Sequence, residues 1–149
     1  MSNKPRTNMR PVVVRWLIIL GITAIVFGLI MLQTRKHARI YRNARTALTR
    51  DRENQVVTAI KAYIAEYGTP VSGGPAQMIA QLSGQNQRKI IFIEIRQGGI
   101  NANGELIDEW GTPYRFNISK PDAPRVWSCG PNRKDEGGAE GSDDIVSWR

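Results

Sequence analysis

A single apolar run near the N-terminus constrains the fold of this chain more than any other feature of its sequence. The 17 residues from Trp16 to Leu32 carry no charge, and a helix of that length spans about 25 Å. Adding Val12–Val14, with Arg15 reaching toward the polar surface, extends the helix to about 31 Å, which matches a hydrocarbon core of ~30 Å. We therefore predict a single transmembrane helix over residues 12–32, with Trp16 at the interface.

Two other interpretations of this run are a signal peptide and a buried core helix. A signal peptide has a shorter apolar region and a small-residue cleavage site, whereas this run ends in Leu32-Gln33-Thr34-Arg35. A core helix with so long an uncharged stretch would be unusual in so small a domain. Gly21, Ala24 and Gly28 fall close to one helical face, which would let another helix approach closely.

The positive charge of the chain is concentrated in its N-terminal part. Residues 1–52 carry eleven bases and one acid, whereas residues 53–149 carry ten bases and twelve acids. A protein that coats nucleic acid is expected to spread its positive charge over the folded domain, so nucleic acid is disfavoured as a partner. The basic segment 1–11 contains two prolines and is expected to be unstructured.

The helical pattern continues beyond the transmembrane segment. Apolar residues recur at helical spacing at Ile40, Ala44 and Leu48, and again at Val56, Ile60, Tyr63 and Tyr67. The stretch 49–55 between them is polar all round, and Gly68-Thr69-Pro70 supplies a helix stop. We predict one helix from about Val12 to Tyr67, in which residues 33–67 form a stalk whose last third packs on the globular domain.

The stalk carries a run of basic residues. They are Arg35, Lys36, Arg39, Arg42, Arg45, Arg50 and Arg52. Such a run is typical of a solvated stalk or of contact with anionic headgroups. A further alternative is a membrane-tethered binding module that holds an exoprotein or DNA through this basic stalk.

Residues 68–149 are expected to form the globular domain. The pattern predicts a short helix over residues 76–84 and strands at Lys89–Ile95, after Gly111, at Arg125–Gly130 and at the C-terminus. In these strands Tyr114 and Phe116 should share a face. The predicted fold class is α+β, a long N-terminal transmembrane helix that continues into a small antiparallel sheet domain.

The sequence lacks the residue combinations of common enzymes. His37 is the one histidine and Cys129 the one cysteine, so neither an intramolecular disulfide nor a cysteine-based zinc site is possible. Ser128 and Cys129 have no histidine available to activate them. We therefore do not expect an enzyme.

The C-terminal loop 131–144, called the acidic loop below, has the composition of a cation site. Its acids are Asp135, Glu136, Glu140, Asp143 and Asp144, and glycines allow it to curve tightly. Calcium takes six to eight oxygen ligands, which carboxylates and backbone carbonyls could supply. The spacing is not that of an EF-hand, and a solvated acidic loop remains the alternative.

Four segments together resemble a known family. They are Ala59–Pro70, Lys89–Glu94, Gly104–Phe116 with its Asp-Glu-Trp-Gly-Thr-Pro-Tyr run, and Ser128–Trp148. In this order they are similar to the type II secretion pseudopilins, in particular the major pseudopilin, which are relatives of the type IV pilins. The resemblance implies a pilin-like fold and a structural subunit or accessory of a type II secretion or pilus-like apparatus. It also implies other pseudopilins, an inner-membrane secretion platform and a homo-oligomer as partners.

The resemblance further implies a calcium site in the acidic loop. Its ligands would be Asp143, Asp144, the side chain of Asn132 and the backbone oxygens of Cys129 and Pro131. The family usually has Asp where this chain has Asn132, and losing one negative ligand should weaken the site.

The N-terminal part departs from the family pattern. The family's Gly-Phe-Thr-Leu-x-Glu run, where a peptidase cuts after the glycine, is absent, and no acid precedes Asp51. The domain is therefore either assembled into a filament or simply tethered. Four bases precede the apolar run and seven follow it in Gln33–Arg52, which favours a cytoplasmic C-terminal side. The resemblance implies the opposite, an inner-membrane protein with a periplasmic C-terminal domain, and we adopt that expectation.

Overall fold

The computed structural model describes residues 10–149 of the chain and has an α+β layout. Two helices precede a three-stranded antiparallel sheet: α1 (Arg10–Tyr67), α2 (Pro75–Leu82), β1 (Arg115–Asn117), β2 (Arg125–Ser128) and β3 (Ile145–Val146). The predicted long N-terminal helix and small antiparallel sheet are thus confirmed. The segment expected to be unstructured lies outside the described residues except for Arg10 and Pro11, which belong to α1. A proline is tolerated in the first turn of a helix because its missing N–H has no acceptor there.

The chain divides into two compact units, Met1–Arg42 and Asn43–Arg149. In the described part of the first unit, α1 exposes apolar side chains on every face. Leu17 and Leu20 are each 63% exposed and Ile25 is 66% exposed. The helix has a window of mean hydropathy 2.5 and is long and apolar enough to cross a membrane. In water such a surface would be costly, since each large apolar side chain contributes about 1.5–3 kcal/mol when it is buried.

The core of the second unit lies between the C-terminal part of α1 and the segments that follow it. Val56, Ala59 and Ile60 are the buried apolar residues of α1, at helical spacing. They pack in one cluster with these residues of the later segments: Val71, Ile79, Leu82, Ile93, Leu106, Tyr114 and Val126. Tyr63, Tyr67 and Phe92 form an aromatic group at its edge.

The central strand of the sheet is β2. It pairs with β1 so that Phe116 is opposite Val126, and with β3 so that Ser128 is opposite Ile145. Val126 and Ser128 are fully buried while Trp127 between them is only half-buried, so alternate residues of β2 face the core. Cys129 is also buried, but it lies beyond the end of β2.

The predicted strand at Lys89–Ile95 is wrong. This segment contains only one isolated bridge, between Ser83 and Ile91. Its backbone is paired locally, because the N–H groups of Phe92 and Ile93 both donate to the carbonyl of Leu82, at 2.8 and 3.2 Å. The isoleucines therefore anchor an irregular segment to the end of α2 instead of extending the sheet.

Candidate functional site

Asp144 is the one predicted calcium ligand whose carboxylate is built into the domain. It is 8% exposed, and its Oδ2 accepts hydrogen bonds from the backbone N–H groups of Glu136 (3.1 Å) and Gly138 (2.7 Å). Its Oδ1 is buried without a hydrogen-bond partner in the described residues. An unpaired buried carboxylate oxygen is unfavourable, and a cation would satisfy it. The geometry at this residue therefore fits an oxygen-ligated cation.

Asn132 and Asp143 are brought together on the exposed side of the acidic loop. The N–H of Asn132 donates to Asp143 Oδ2 at 3.0 Å. The Asn132 amide donates to Glu136 Oε2 at 3.3 Å, and its Oδ1 accepts the N–H of Lys134 at 2.6 Å. Pro131 is exposed, whereas Cys129 is buried. The five predicted ligands thus lie on two sides of the loop, with Asp144 turned inward and Asn132 and Asp143 turned outward.

The five acids of the loop do not form one cluster. Asp135 turns toward the sheet, where its carboxylate accepts the indole N–H of Trp127 at 3.0 Å and pairs with Arg115 at 3.1 Å. The Trp127 hydrogen bond is the main reason why the pKa of Asp135 is lowered. Within residues 10–149, no three His, Cys, Asp or Glu side chains are grouped so that they could hold a metal ion. The predicted calcium ligands do not form such a group of three acidic, histidine or cysteine side chains, because the set contains only two carboxylates, together with one amide and two backbone carbonyls.

Aromatic packing fixes the acidic loop to the sheet. The rings of Trp127 and Trp148 meet edge to face with centroids 5.9 Å apart, and the guanidinium of Arg125 lies 5.0 Å from the Trp148 centroid. Gly138 lies directly against this group with φ +68°, and a Cβ there would be 2.5 Å from Trp148 Cζ2. Gly130, at φ +63°, leaves no room for a Cβ next to the Asp143 carbonyl. Only glycine fits at these two contacts.

Beneath the loop lies a second group of polar residues, called the buried polar network below. Its members are Thr49, Glu53, Asp108, Tyr114 and Ser128, all of which are at most 5% exposed. Ser128 connects the network, because its N–H donates to Glu53 Oε1 at 3.0 Å and its hydroxyl donates to Asp108 Oδ2 at 2.5 Å. The same hydroxyl accepts the N–H of Gly130 at 2.9 Å, which joins the network to the start of the acidic loop.

Asp108 shapes the turn that leads into β1. Its Oδ1 accepts the N–H groups of Trp110 (2.9 Å) and Thr112 (2.8 Å), so one carboxylate holds both the turn and Ser128. The Trp-Gly-Thr-Pro-Tyr run thus forms a hydrogen-bonded turn, and Tyr114 at its end is buried. The Tyr114 hydroxyl donates to the carbonyl of Thr49 at 3.4 Å, and burial raises the pKa of Tyr114.

Glu53 is the most perturbed acid of the domain. Burial raises its pKa from 4.5 to about 8, while the Ser128 N–H and Arg50 favour the charged form, and Asp108 and Asp144 oppose it. Its Oε2 has no hydrogen-bond partner within residues 10–149. At neutral pH this carboxyl is therefore mostly protonated.

The buried polar network was not predicted from the sequence. Residues 49–55 look polar all round, and the basic residues beside them suggest an exposed stalk. The network could have been predicted from the spacing of the buried apolar residues along α1. Extending Val56 and Ile60 backward in helical steps leads to Glu53 and Thr49, which lie on the same buried face.

Comparison with known proteins gives no match of any kind. No family model matches the chain, and no characterised protein sequence or solved structure is significantly similar to it.

Proposed function

We propose that this chain is a single-pass membrane protein that acts as a pseudopilin-like structural subunit or accessory of a type II secretion or type IV pilus-like apparatus. Its transmembrane helix would cross the inner membrane, and its α+β domain would be periplasmic. The hydrophobic helices of neighbouring subunits would pack side by side. The domains would form the outer surface of the assembly.

The observation that carries this proposal is the exposed apolar surface of α1 in the first unit. Its apolar side chains from Val13 to Leu32 are 46–66% exposed. A helix that is apolar all round needs lipid or other helices around it. The same helix contributes Val56, Ala59 and Ile60 to the core of the domain, so one α-helix provides both the anchor and part of the folded unit.

Membrane insertion and topology are tested by fractionation and by reporter fusion. The full chain expressed in bacteria should stay with the membrane after carbonate extraction. Alkaline phosphatase fused after Arg149 should be active, whereas a cytoplasmic reporter at the same position should be inactive. Release by carbonate would refute the membrane anchor, and the opposite reporter pattern would refute the periplasmic domain.

Assembly through the helix is tested by cysteine cross-linking in membranes. In a Cys129→Ser background, single cysteines placed in turn along residues 18–28 should give cross-linked oligomers. If one helical face packs, the yield should repeat with the helical period of about 3.6 residues and peak near Gly21 and Gly28. Monomer at every position would refute assembly through the helix.

The proposed role includes a calcium ion held by the acidic loop. Asp144 would supply its unpaired Oδ1, and Asn132, Asp143 and the backbone oxygens of Cys129 and Pro131 would complete the ligand set. When bound, the ion would stiffen the loop through hard oxygen ligands. Calcium should raise the thermal midpoint of the full chain in micelles relative to chelator. The Asp144→Asn variant should lose this shift, and the exposed control Asp122→Asn should keep it.

A further inference from the structure

We propose that the first bases after the apolar run, Arg35, Lys36 and Arg39, form a binding surface for anionic phospholipid headgroups. The proposal deepens the proposed function, since it rests on the membrane anchor. It concerns a partner that the secretion role does not specify. The three residues are called the lipid-facing bases below.

The lipid-facing bases lie in or just beyond the headgroup region. With Leu32 at the end of the hydrocarbon, a rise of ~1.5 Å per residue puts Arg35 about 5 Å and Arg39 about 10 Å along the helix axis. The headgroup region is roughly 5–7 Å thick on each side, and the Debye length at physiological salt is about 8 Å. Arg35 and Lys36 therefore reach the headgroup region, and Arg39 lies roughly 3–5 Å beyond it, within one Debye length.

These bases also share one side of the helix. At ~100° per residue, they span about 100° of its circumference. All three are exposed, and none of the ion pairs found within residues 10–149 involves them. The chain has no acid before Asp51, so no carboxylate on the neighbouring turns can neutralise them. Their counter-charge has to come from outside the first unit's own sequence.

The last two bases of the basic run, Arg50 and Arg52, interact with the domain. Arg52 donates to the carbonyl of Glu94 at 3.3 Å, and Arg50 is close enough to the buried Glu53 to favour its charged form. Both belong to the second unit and serve the domain. A nucleic acid following the stalk would meet these two bases already engaged by the domain. Anionic lipid needs only the bases next to the apolar segment.

The test measures which lipids the full chain retains. The protein is purified in detergent micelles with equal amounts of phosphatidylglycerol and phosphatidylcholine, and native mass spectrometry counts the bound lipids of each class. One base close to the surface favours anionic lipid about five-fold. We expect the retained ratio to be at least about five-fold lower in the Arg35→Gln, Lys36→Gln, Arg39→Gln triple variant than in the wild type, since the bases before the apolar run contribute equally to both.

A matched triple variant controls for net charge. Lys61→Gln, Lys89→Gln, Lys120→Gln removes three exposed bases of the domain and should keep the wild-type ratio. Equal ratios in the wild type and the first triple variant would overturn the proposal, and so would an equal loss in the control. Binding of a labelled DNA duplex through the same three bases, without lipid preference, would also overturn it.

The outcome is separable from that of the proposed function. If carbonate releases the chain from membranes, the membrane anchor itself fails. If the chain stays in the membrane and shows no preference for phosphatidylglycerol, only the lipid-binding surface fails.

Discussion

Replacing Glu53 with glutamine should remove most of the pH dependence of the domain's stability between about pH 5 and pH 8. The substitution keeps the size of the side chain, and its amide oxygen can still accept the N–H of Ser128, which lies 3.0 Å from Glu53 Oε1. What the variant loses is a carboxyl group whose pKa is about 8 in the folded protein and 4.5 in its ordinary state. Glutamine has no proton to lose in this range.

The magnitude follows from these two pKa values. Below pH 4.5 the carboxyl is neutral in both the folded and the unfolded state. Between the two values the unfolded chain releases the proton and the folded chain keeps it, so the free energy of unfolding falls by about 1.4 kcal/mol per pH unit. Above pH 8 both states are ionised and the fall ends. From pH 5 to pH 7 the wild type should therefore lose about 3 kcal/mol that the variant keeps.

At low pH the order of stability should reverse. The protonated acid has one O–H donor at this buried position, whereas the glutamine amide has two N–H donors, and the atom at Oε2 has no partner among the described residues. An extra unpaired donor costs roughly 1 kcal/mol or more. The variant is thus expected to be less stable than the wild type at pH 5 and more stable at pH 7.5, so that the two curves cross.

Urea unfolding of the full chain in detergent micelles measures this difference. A Trp16→Phe background leaves the three tryptophans of the second unit as the fluorescence signal. Glu140→Gln is the control, since this glutamate is exposed on the acidic loop and should run parallel to the wild type. Parallel curves for Glu53→Gln and the wild type would refute the reasoning, because Glu53 would then be ionised in the folded domain.

Other substitutions probe the loop and the network by the same unfolding measurement. Gly138→Ala should destabilise the domain by about 3 kcal/mol, because its Cβ would collide with an indole ring, whereas Gly137→Ala has the same φ of +68° and open space and should lose only ~1 kcal/mol. Ser128→Ala should lose about 2–4 kcal/mol, since it leaves Asp108 Oδ2 and a backbone N–H buried without partners. Equal losses at the two glycines, or a neutral Ser128→Ala, would contradict these contacts.

The parts of the fold that could be predicted are those with a clear hydrophobic period. The uncharged run and the four-residue steps predicted α1 through Tyr67, and Gly68 ends it with φ +71° as a helix stop should. The pattern at Arg125–Gly130 predicted a strand, and β2 forms over Arg125–Ser128. These patterns succeed because each reports directly which face of an element avoids water.

The parts that could not be predicted depend on contacts between distant segments. Lys89–Ile95 has the composition of a strand, but its hydrogen bonds go to α2, and composition does not tell which partner a segment finds. Glu53 was expected to be exposed, because a glutamate side chain is rarely buried without a partner. Its burial follows from Ser128, which is 75 residues away in the chain. In the same way Asp135 seemed part of an acidic cluster, while Trp127 and Arg115 draw it toward the sheet.

Contacts with the domain already fix part of the acidic loop, so a bound cation would order only the remaining part. Two backbone N–H groups hold Asp144, and Trp148 packs over Gly138, so the inner half of the loop is fixed by the domain. The outer half, with Asn132 and Asp143, is joined by hydrogen bonds on the exposed side, among them the one from the Asn132 N–H to the Asp143 carboxylate. A cation bridging Asp144 to this outer half would therefore order the outer residues and leave the indole packing unchanged.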